Sequence, residues 1–400
     1  MGTMKDQMYR GYGQIDKVVC VDCVGDYALK QLISDGNLTE TCDYCGETGK
    51  CISVEDLIEK IMDGIRFEYV EAIDEMGIEK GRFIGANTWD TYDLLHDVLS
   101  YEMELDDELL GDVVKTVDMT TWCKIDPYQL SESKENLILW DTFTEIVKKQ
   151  SRYVFFRMQP EDDNDESPFN ILDKIGEKIG ELGLVKSLKP GQKFYRGRMH
   201  FEGEQLNEAK DLSSPPAEKA KSNRMSAVGI SIFYGAKSTE TAIAEIYDSK
   251  YRFATTAVFK NTRRIRLVDL TEIDRMIFPS LFDEEKRIYR ETIAFLRELN
   301  RNLSKPIERM EEIEYIPAQI IAEYFRYLFK YKDKKIDGII YNSSKVKGGI
   351  CYALFFDQEQ CLDSELEPNE RRNNQMLKLD NDSINICEVK VNVDLREYYD

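Results

Sequence analysis

Two Cys-x-x-Cys pairs near the N-terminus constrain the fold of this chain more than any other feature. Cys20 and Cys23 form the first pair, and Cys42 and Cys45 follow after 18 intervening residues. Two pairs at this spacing are typical of a site in which four thiolates bind one tetrahedral zinc ion. Four protein ligands leave no open coordination position, so the spacing predicts a structural Zn²⁺ rather than a catalytic one. Free or redox-active thiols are the alternative.

The composition is that of a globular protein with several domains. The chain has 400 residues, 42% of them hydrophobic, which is enough for two or three domains. Its net charge of −21 argues against a nucleic-acid groove, because phosphate binding needs concentrated Lys and Arg. No apolar run approaches the roughly 18 residues of a membrane span, and no signal-peptide pattern opens the chain. These features predict a cytoplasmic protein without a nucleic-acid or membrane partner.

The first half of the chain has the apolar spacing of helices. That spacing predicts helices over Val54–Met76, Thr88–Val117 and Asn136–Phe156. The acidic, proline-bounded stretch Gln159–Pro168 is the best linker candidate. We therefore predict four parts: a zinc-knuckle module at 15–52, a helical N-terminal domain at 53–158, an acidic linker at 159–168, and a second domain with a leading helix and a C-terminal extension at 169–400.

The second half alternates short β-rich runs with helices. One amphipathic helix is predicted over Phe169–Leu188. Strands are predicted over Lys193–Met199, Gly229–Ala236, Arg252–Phe259, Arg264–Leu270, Lys335–Ser344 and Cys351–Asp357, and helices over Ser238–Asp248, Asp283–Leu299 and Ala318–Tyr331. The fold class is thus α+β: a zinc-knuckle helical domain followed by a mixed α/β domain. The chain lacks GxGxxG, P-loop, GxSxG and HExxH motifs and has two histidines, which argues against Rossmann, P-loop, Ser-His-Asp and zincin chemistry.

Several polar residues fall at the ends of predicted strands, where they can share a pocket. Glu245 lies in a predicted helix about 100° from the centre of the apolar stripe, at the border of core and surface. The other candidates are Arg196, Arg224, Tyr234, and the adjacent Ser343 and Ser344. Two cations, an aromatic ring, a carboxylate and a hydroxyl form a plausible ligand-binding set. The alternative is a boundary glutamate with an ordinary structural partner.

Three sequence blocks resemble the RES domain, a family named for its Arg, Glu and Ser. The blocks are FYRGR, RMSAVGISIFYGAKSTETAIAEI and DGIIYNSSKVKGGICYALF, in the family's order, within Leu188–Asp357. The run Glu314–Arg326 resembles the version of this domain that follows a long N-terminal region. The N-terminal half is similar to the zinc-knuckle HEPN/RES N-terminal domain. It lacks an Arg-x4–6-His motif, which argues against ribonuclease chemistry.

The resemblance assigns residues one by one. The family's name-giving positions are matched by Arg196, Glu245 and Ser343, and further pocket positions by Arg224 and Tyr234. Two departures matter: Ala227 stands where the family often has Pro, and Ser344 makes the serine assignment ambiguous by one residue.

The resemblance implies an ADP-ribosyltransferase-like fold whose substrate is NAD⁺. The implied reaction cleaves the nicotinamide–ribose bond with water or inorganic phosphate as acceptor, in a toxin restrained by an antitoxin or regulatory protein. Glu245 would stabilise the oxocarbenium-like state, the two arginines would bind the pyrophosphate, Tyr234 would pack the nicotinamide, and the serine would orient the ribose or carboxamide.

Two alternatives stay open at this point. One is an ADP-ribosyltransferase that modifies a macromolecule; the other is an inactive domain that serves as a binding module. The architecture also suggests a role in phage defence, with the N-terminal half regulating the second. The acceptor, the trigger, the antitoxin and the oligomeric state, including a homo-oligomer, are left open by the sequence.

Overall fold

The chain divides into two compact units in a computed structural model. The structure describes residues 10–158, 167, 169–305, 312–363 and 374–390. The first unit is Met1–Glu132 with Ile277–Glu291, and the second is Ser133–Met276 with Thr292–Asp400. The predicted linker 159–168 lies, apart from Ser167, outside the described residues.

The first unit is made of short strands and helices in alternation. Its strands are β1 Val18–Cys20, β2 Leu38–Thr41, β3 Thr48–Ser53, β4 Tyr69–Glu71, β5 Ile78–Glu79, β6 Arg82–Phe83, β7 Trp89–Asp90 and β8 Thr121–Lys124. Its α-helices are α1 Tyr27–Asp35, α2 Val54–Glu68, α3 Ala72–Glu75, α4 Thr91–Asp93, α5 Ser100–Met103 and α6 Asp107–Thr116, with a π-helical turn over Leu94–Val98.

The central helix of this unit is α2. Its N-terminus is capped by Ser53, whose hydroxyl accepts from the backbone N–H of Asp56. One face, centred on Leu57, Ile58 and Ile61, is fully buried in the core of the unit. The predicted helix to Met76 is interrupted after Glu68, because β4 pairs there with β8. The N-terminal region therefore contains small sheets as well as helices.

The second unit contains the main sheet. The strands of this unit are β9 Val185–Leu188, β10 Lys193–His200, β11 Phe233–Ala236, β12 Phe253–Asn261, β13 Ile265–Asp269, β14 Lys330–Tyr331, β15 Lys334–Lys335, β16 Gly338–Asn342, β17 Ile350–Leu354, β18 Cys361–Leu362 and β19 Leu377–Glu388. Its α-helices are α7 Glu132–Glu145, α8 Asn170–Glu181, α9 Ala209–Leu212, α10 Thr239–Ile246, α11 Arg290–Ser304 (which begins in the first unit's segment) and α12 Ile316–Tyr327. A π-helical turn over Ile146–Gln150 follows α7, and a 3₁₀ turn over Glu312–Tyr315 leads into α12.

Among the described residues, the main sheet has nine strands in the order β18-β19-β12-β10-β11-β17-β16-β13-β9. The pairs β13–β16 and β18–β19 are parallel, and the other neighbours are antiparallel. Successive side chains of a strand point to opposite faces, and Ile339 and Ile340 accordingly join two different cores. The core that contains Ile339 also contains residues of α7, α8, α11 and α12.

Three details of the second unit differ from the sequence interpretation. Helix α7 belongs to this unit, because Trp140 and Phe143 share a core with Ile171 and Ile175 of α8. The predicted helix to Leu188 ends at Glu181, and its last residues form β9. The long strand β19 was not predicted. No helix in the described ranges is long and apolar enough to cross a membrane.

Candidate active site

A cavity of about 320 Å³ lies within the second unit beside the strands β10 and β11. Five of the six predicted site residues line it: Arg196, Arg224, Tyr234, Glu245 and Ser344. The structure thus brings together residues that are up to 148 positions apart in the sequence, because β10, β11, β17 and β16 are neighbours in the sheet. The sixth predicted residue, Ser343, does not line the cavity itself. Its hydroxyl donates to the carboxylate of Glu245, which does.

Arg196 on β10 is held by backbone carbonyl groups. Its Nε donates to the oxygen of Leu212 at 3.1 Å, Nη1 to that of Tyr234 at 2.6 Å, and Nη2 to that of Ser213 at 3.4 Å. Burial, with a smaller effect of the Arg198 cation, lowers the pKa of Arg196 to about 10, so it stays charged at neutral pH. Three of its five N–H groups are used, which leaves two for a ligand.

Arg224 lies on the loop before β11 and also bonds to carbonyl groups. Its Nη1 donates to Leu303 at 3.1 Å and its Nη2 to Lys305 at 3.2 Å, at the C-terminal end of α11. A cation is favourable there, because the helix dipole places partial negative charge on the last carbonyls. Within the part of the chain that the structure describes, neither Arg224 nor Arg196 pairs with a carboxylate.

Four tyrosines contribute aromatic surface to the cavity, among them Tyr234 and Tyr341. The hydroxyl of Tyr234 lies 2.9 Å from the hydroxyl of Ser226. The ring is therefore held at its hydroxyl as well as at its backbone attachment in β11. Burial raises the pKa of Tyr234 to about 12 and the pKa of Tyr341 well above its ordinary value. Both phenols therefore remain protonated at neutral pH and act as hydrogen-bonding aromatic surfaces, not as bases.

Glu245 lies on α10, which turns Ala242, Glu245 and Ile246 toward the cavity. These positions are three and four residues apart and so share one helix face. Ser238 caps the N-terminus of this helix, and its hydroxyl accepts from the backbone N–H of Thr241. Glu245 is half-buried. This is the border position that the helical pattern predicted.

Ser343 follows β16 and holds the Glu245 carboxylate. Its hydroxyl donates to Oε1 of Glu245 at 2.5 Å and accepts from the backbone N–H of Lys345 at 3.1 Å and of Val346 at 2.9 Å. A side chain on Gly349 would crowd this turn, since its Cβ would lie 3.0 Å from the Cβ of Ser343. Ser343 is thus placed to orient Glu245, whereas Ser344 lines the cavity directly.

Sequence reasoning missed several lining residues. They are Tyr195, Lys221, Asn223, Ser226, Tyr315, Tyr341, Lys345 and Cys351, together with small and apolar side chains. Tyr341 and Cys351 fall inside the quoted strand blocks, so their position on β16 and β17 beside Ser343 was an available signal. Tyr315 ends the 3₁₀ turn that leads into α12, and no local pattern places this segment beside the strands.

The four cysteines of the first unit converge. The Sγ atoms of Cys20, Cys23, Cys42 and Cys45 all lie within 4.8 Å of one another. Three of the separations are 3.8 Å for Cys20–Cys23, 3.4 Å for Cys20–Cys45 and 3.7 Å for Cys23–Cys42. Four Zn–S bonds of about 2.3 Å in a tetrahedron place the sulfurs about 3.8 Å apart. The donor set and its spacing fit one zinc ion.

The environment of Cys42 favours its thiolate. Burial opposes ionisation, but hydrogen bonds from the backbone N–H groups of Cys45, Tyr44 and Cys20 outweigh it and lower the pKa of Cys42 to about 7. Burial raises the pKa of Cys20 and of Cys23. Without a cation, burial therefore disfavours the thiolates of Cys20 and Cys23.

Two family models match the chain. The model of the RES domain matches residues 195–377, and that of HEPN/RES N-terminal domain 1 matches residues 36–161. The chain carries a RES domain behind a HEPN/RES N-terminal domain. This confirms the resemblance drawn from the three sequence blocks. The RES match contains all six predicted site residues, while the N-terminal match contains the second cysteine pair but not Cys20 and Cys23.

Other comparisons add little. A comparison with curated proteins gives no significant match. One similar solved structure is the crystal structure of the M. tuberculosis MbcT-MbcA toxin-antitoxin complex, with 11% identity and a TM-score of 0.28. That similarity covers 55% of this chain and 93% of the other. At this TM-score it carries no argument about fold or activity.

Proposed function

We propose that the RES domain of this protein degrades NAD⁺ by cleaving the nicotinamide–ribose bond, with water or inorganic phosphate as the acceptor. The observation that carries the proposal is the arrangement of Glu245. Its carboxylate is half-buried at a cavity wall, is oriented by the hydroxyl of Ser343, and shares that cavity with Arg196 and Arg224. A cavity of this composition can bind an anionic ligand and stabilise positive charge at one defined point.

The charge of the cavity supports an anionic substrate. Four cationic side chains and one carboxylate line it: Arg196, Arg224, Lys221, Lys345 and Glu245. This excess of positive charge lies in a chain with a net charge of −21, so it is local to the cavity. Guanidinium groups bind pyrophosphate oxygens in pairs, and both arginines retain free N–H groups for this.

The position of Glu245 supports cleavage at the ribose. Departure of nicotinamide leaves an oxocarbenium-like ribose with positive charge near its ring oxygen. A preoriented carboxylate stabilises that charge and can accept a hydrogen bond from a ribose hydroxyl. The cavity is at the small end of the roughly 300–1,000 Å³ range of ligand sites, so we infer that it encloses the nicotinamide riboside end of the dinucleotide.

The Zn²⁺ of the first unit is proposed as structural. Cys20, Cys23, Cys42 and Cys45 would hold it, and its charge would stabilise the thiolates of Cys20 and Cys23, whose pKa values are raised by burial. The ADP-ribosyltransferase-like fold, the restraining antitoxin or regulatory protein, the role in phage defence and the cytoplasmic location belong to the same proposal. The fold and the restraining partner rest on the family resemblance, the role in phage defence on the domain architecture, and the location on the composition of the chain.

The test is product analysis after incubation of the purified full chain with NAD⁺, with and without phosphate. ADP-ribose indicates hydrolysis, ADP-ribose-1″-phosphate indicates phosphorolysis, and a labelled macromolecule indicates the transferase alternative. Glu245→Gln keeps the size and the hydrogen-bond acceptor but removes the charge, and we expect turnover to fall by about 10²–10³. Glu240→Gln, on the exposed side of the same helix, is the matched control and should turn over NAD⁺ like wild type.

NAD⁺ binding by Glu245→Gln should survive better than turnover, because the arginines contact the pyrophosphate independently. A normally folded Glu245→Gln protein that consumes NAD⁺ as fast as wild type would refute the proposal.

A further inference from the structure

Gln319 on α12 lies outside the cavity lining but contacts the loop that supplies part of it. The side chain is buried, with 8% of its surface exposed. Its Nε2 donates to the hydroxyl of Ser222 at 3.1 Å and to the carbonyls of Asn223 at 2.8 Å and Ser226 at 3.2 Å. Two N–H hydrogens are thus shared among three acceptors of one short loop.

This loop, Ser222–Ser226, carries two features of the proposed site. Arg224 lines the cavity from its middle, and the hydroxyl of Ser226 meets the hydroxyl of Tyr234 at 2.9 Å. The loop is closed by backbone bonds of 2.9 Å and 3.3 Å between Asn223 and Ser226. The carbonyls of both residues face Gln319, so a donor at this position completes the turn.

We propose that Gln319 is a positioning residue, which fixes the loop Ser222–Ser226 so that Arg224 and Tyr234 face the cavity. The chemistry explains why a glutamine stands here. A glutamate of the same shape has no N–H to offer and would repel the two carbonyl oxygens, and a methionine of similar length would leave each oxygen with its backbone hydrogen bond alone. Tyr315, four residues earlier, lines the cavity from the same side of this segment.

The first test needs no substrate. Limited trypsin digestion of the native full chain reports loop opening at two bonds, after Lys221 and after Arg224. When opening is fast compared with cleavage, the cleavage rate follows the population of the open loop. We expect Gln319→Met to raise cleavage at these bonds about tenfold or more, because the closed loop then loses its buried donor. Gln319→Glu is the second variant, in case Gln319→Met does not fold.

The matched control is Tyr324→Phe on the same helix. It removes a hydrogen bond of 3.0 Å from the Tyr324 hydroxyl to Asp173, which also holds α12 but does not touch the loop. It should lower thermal stability comparably and leave cleavage after Lys221 and Arg224 at the wild-type rate. Unchanged cleavage in both Gln319 variants would overturn the proposal, as would equal acceleration in Tyr324→Phe.

The second test measures turnover and rests on the proposed function. Because Arg224 and Tyr234 would contact bound NAD⁺ while Glu245 and Ser343 lie on other elements, Gln319→Met should raise KM for NAD⁺ about tenfold and change kcat less. A merely structural role would lower the active fraction and reduce kcat without changing KM, which would contradict the proposal. If wild type consumes no NAD⁺, the proposed function fails, whereas the trypsin result still decides the role of Gln319.

Discussion

Ser343→Ala separates the two adjacent serines and tests how Glu245 is held. The change removes the hydroxyl that donates to Oε1 of Glu245 and that accepts from two backbone N–H groups of the following turn. The turn is partly exposed, so a water molecule can accept from these two N–H groups when the Ser343 hydroxyl is removed. The bond to the carboxylate is the main loss, since it is charge-assisted and shielded at the cavity wall.

The magnitude follows from that bond. Leaving a partly buried charged group without its hydrogen-bond donor costs about 1.5–3 kcal/mol of stability. For a unit of this size, each kcal/mol corresponds to about 2–4 °C, so we expect the Tm of Ser343→Ala to fall by roughly 3–12 °C. If the bond is equally important in the transition state, the same free energy reduces kcat about 10- to 150-fold, at about 1.36 kcal/mol for each factor of ten.

The assay compares thermal unfolding and NAD⁺ consumption of Ser343→Ala with those of Ser344→Ala. Ser344 lines the cavity, but no hydrogen bond of its side chain is seen among the described residues. We therefore expect Ser344→Ala to unfold within about 1 °C of wild type and to lose less than about threefold in kcat. A Ser343→Ala protein with wild-type Tm and kcat, or a larger loss in Ser344→Ala, would show that the assignment is wrong by one residue.

Two further predictions concern the first unit. Purified protein should contain about one equivalent of zinc, and Cys42→Ser should remove the zinc and lower the Tm of this unit. The control variant Cys51→Ala should retain the metal. A metal-free wild-type protein of full stability would refute the site. Asp112 accepts from Lys17 Nζ at 2.6 Å and from the Tyr44 hydroxyl at 3.1 Å, and these bonds lower its pKa below the ordinary 3.8. The stabilisation from a lowered carboxyl pKa is present above pH 3.8 and is lost as the pH falls through the folded-state pKa. Asp112→Asn should therefore have a lower Tm than wild type at pH 7 and the same Tm near pH 2. A constant difference in Tm across this pH range would contradict the assignment.

The parts of the site that the sequence predicted are those with a local signal. Glu245 breaks the apolar pattern of a short helix, and Arg196 and Tyr234, which are unremarkable alone, fall inside the short sequence blocks that resemble the RES domain. The cysteine cluster was predictable for the same reason, because a Cys-x-x-Cys pair sets the separation of its two thiols by itself.

The missed parts depend on pairings between distant segments. Strand β19 has the polar sequence LKLDNDSINICE, and its place in the sheet comes from pairing with β12, with a register shift between Thr256 and Val258. Gln319 lies in a mostly apolar helix that also contains Glu323 and Arg326, so from the sequence it resembles another surface position. Its role becomes visible only when α12 is placed beside the loop Ser222–Ser226.

Glu245 is stronger evidence for a ligand-binding function than Arg196, because Arg196 also has a structural use. The Arg196 guanidinium bonds to three carbonyls, and a buried carbonyl without a partner costs about 1–3 kcal/mol, so an arginine is useful at this position with or without a ligand.

Glu245 gives the fold no such benefit. In the described part of the chain it bonds to the hydroxyl of Ser343 and to the thiol of Cys351, and it satisfies no backbone group. Half-burial of a carboxylate for one hydroxyl and one weakly donating thiol is a poor arrangement for stability alone, and residues that reduce stability concentrate where a ligand is bound. It follows that Glu245→Gln should keep or raise the Tm of wild type while it loses turnover. A large fall in Tm would instead identify Glu245 as a structural residue.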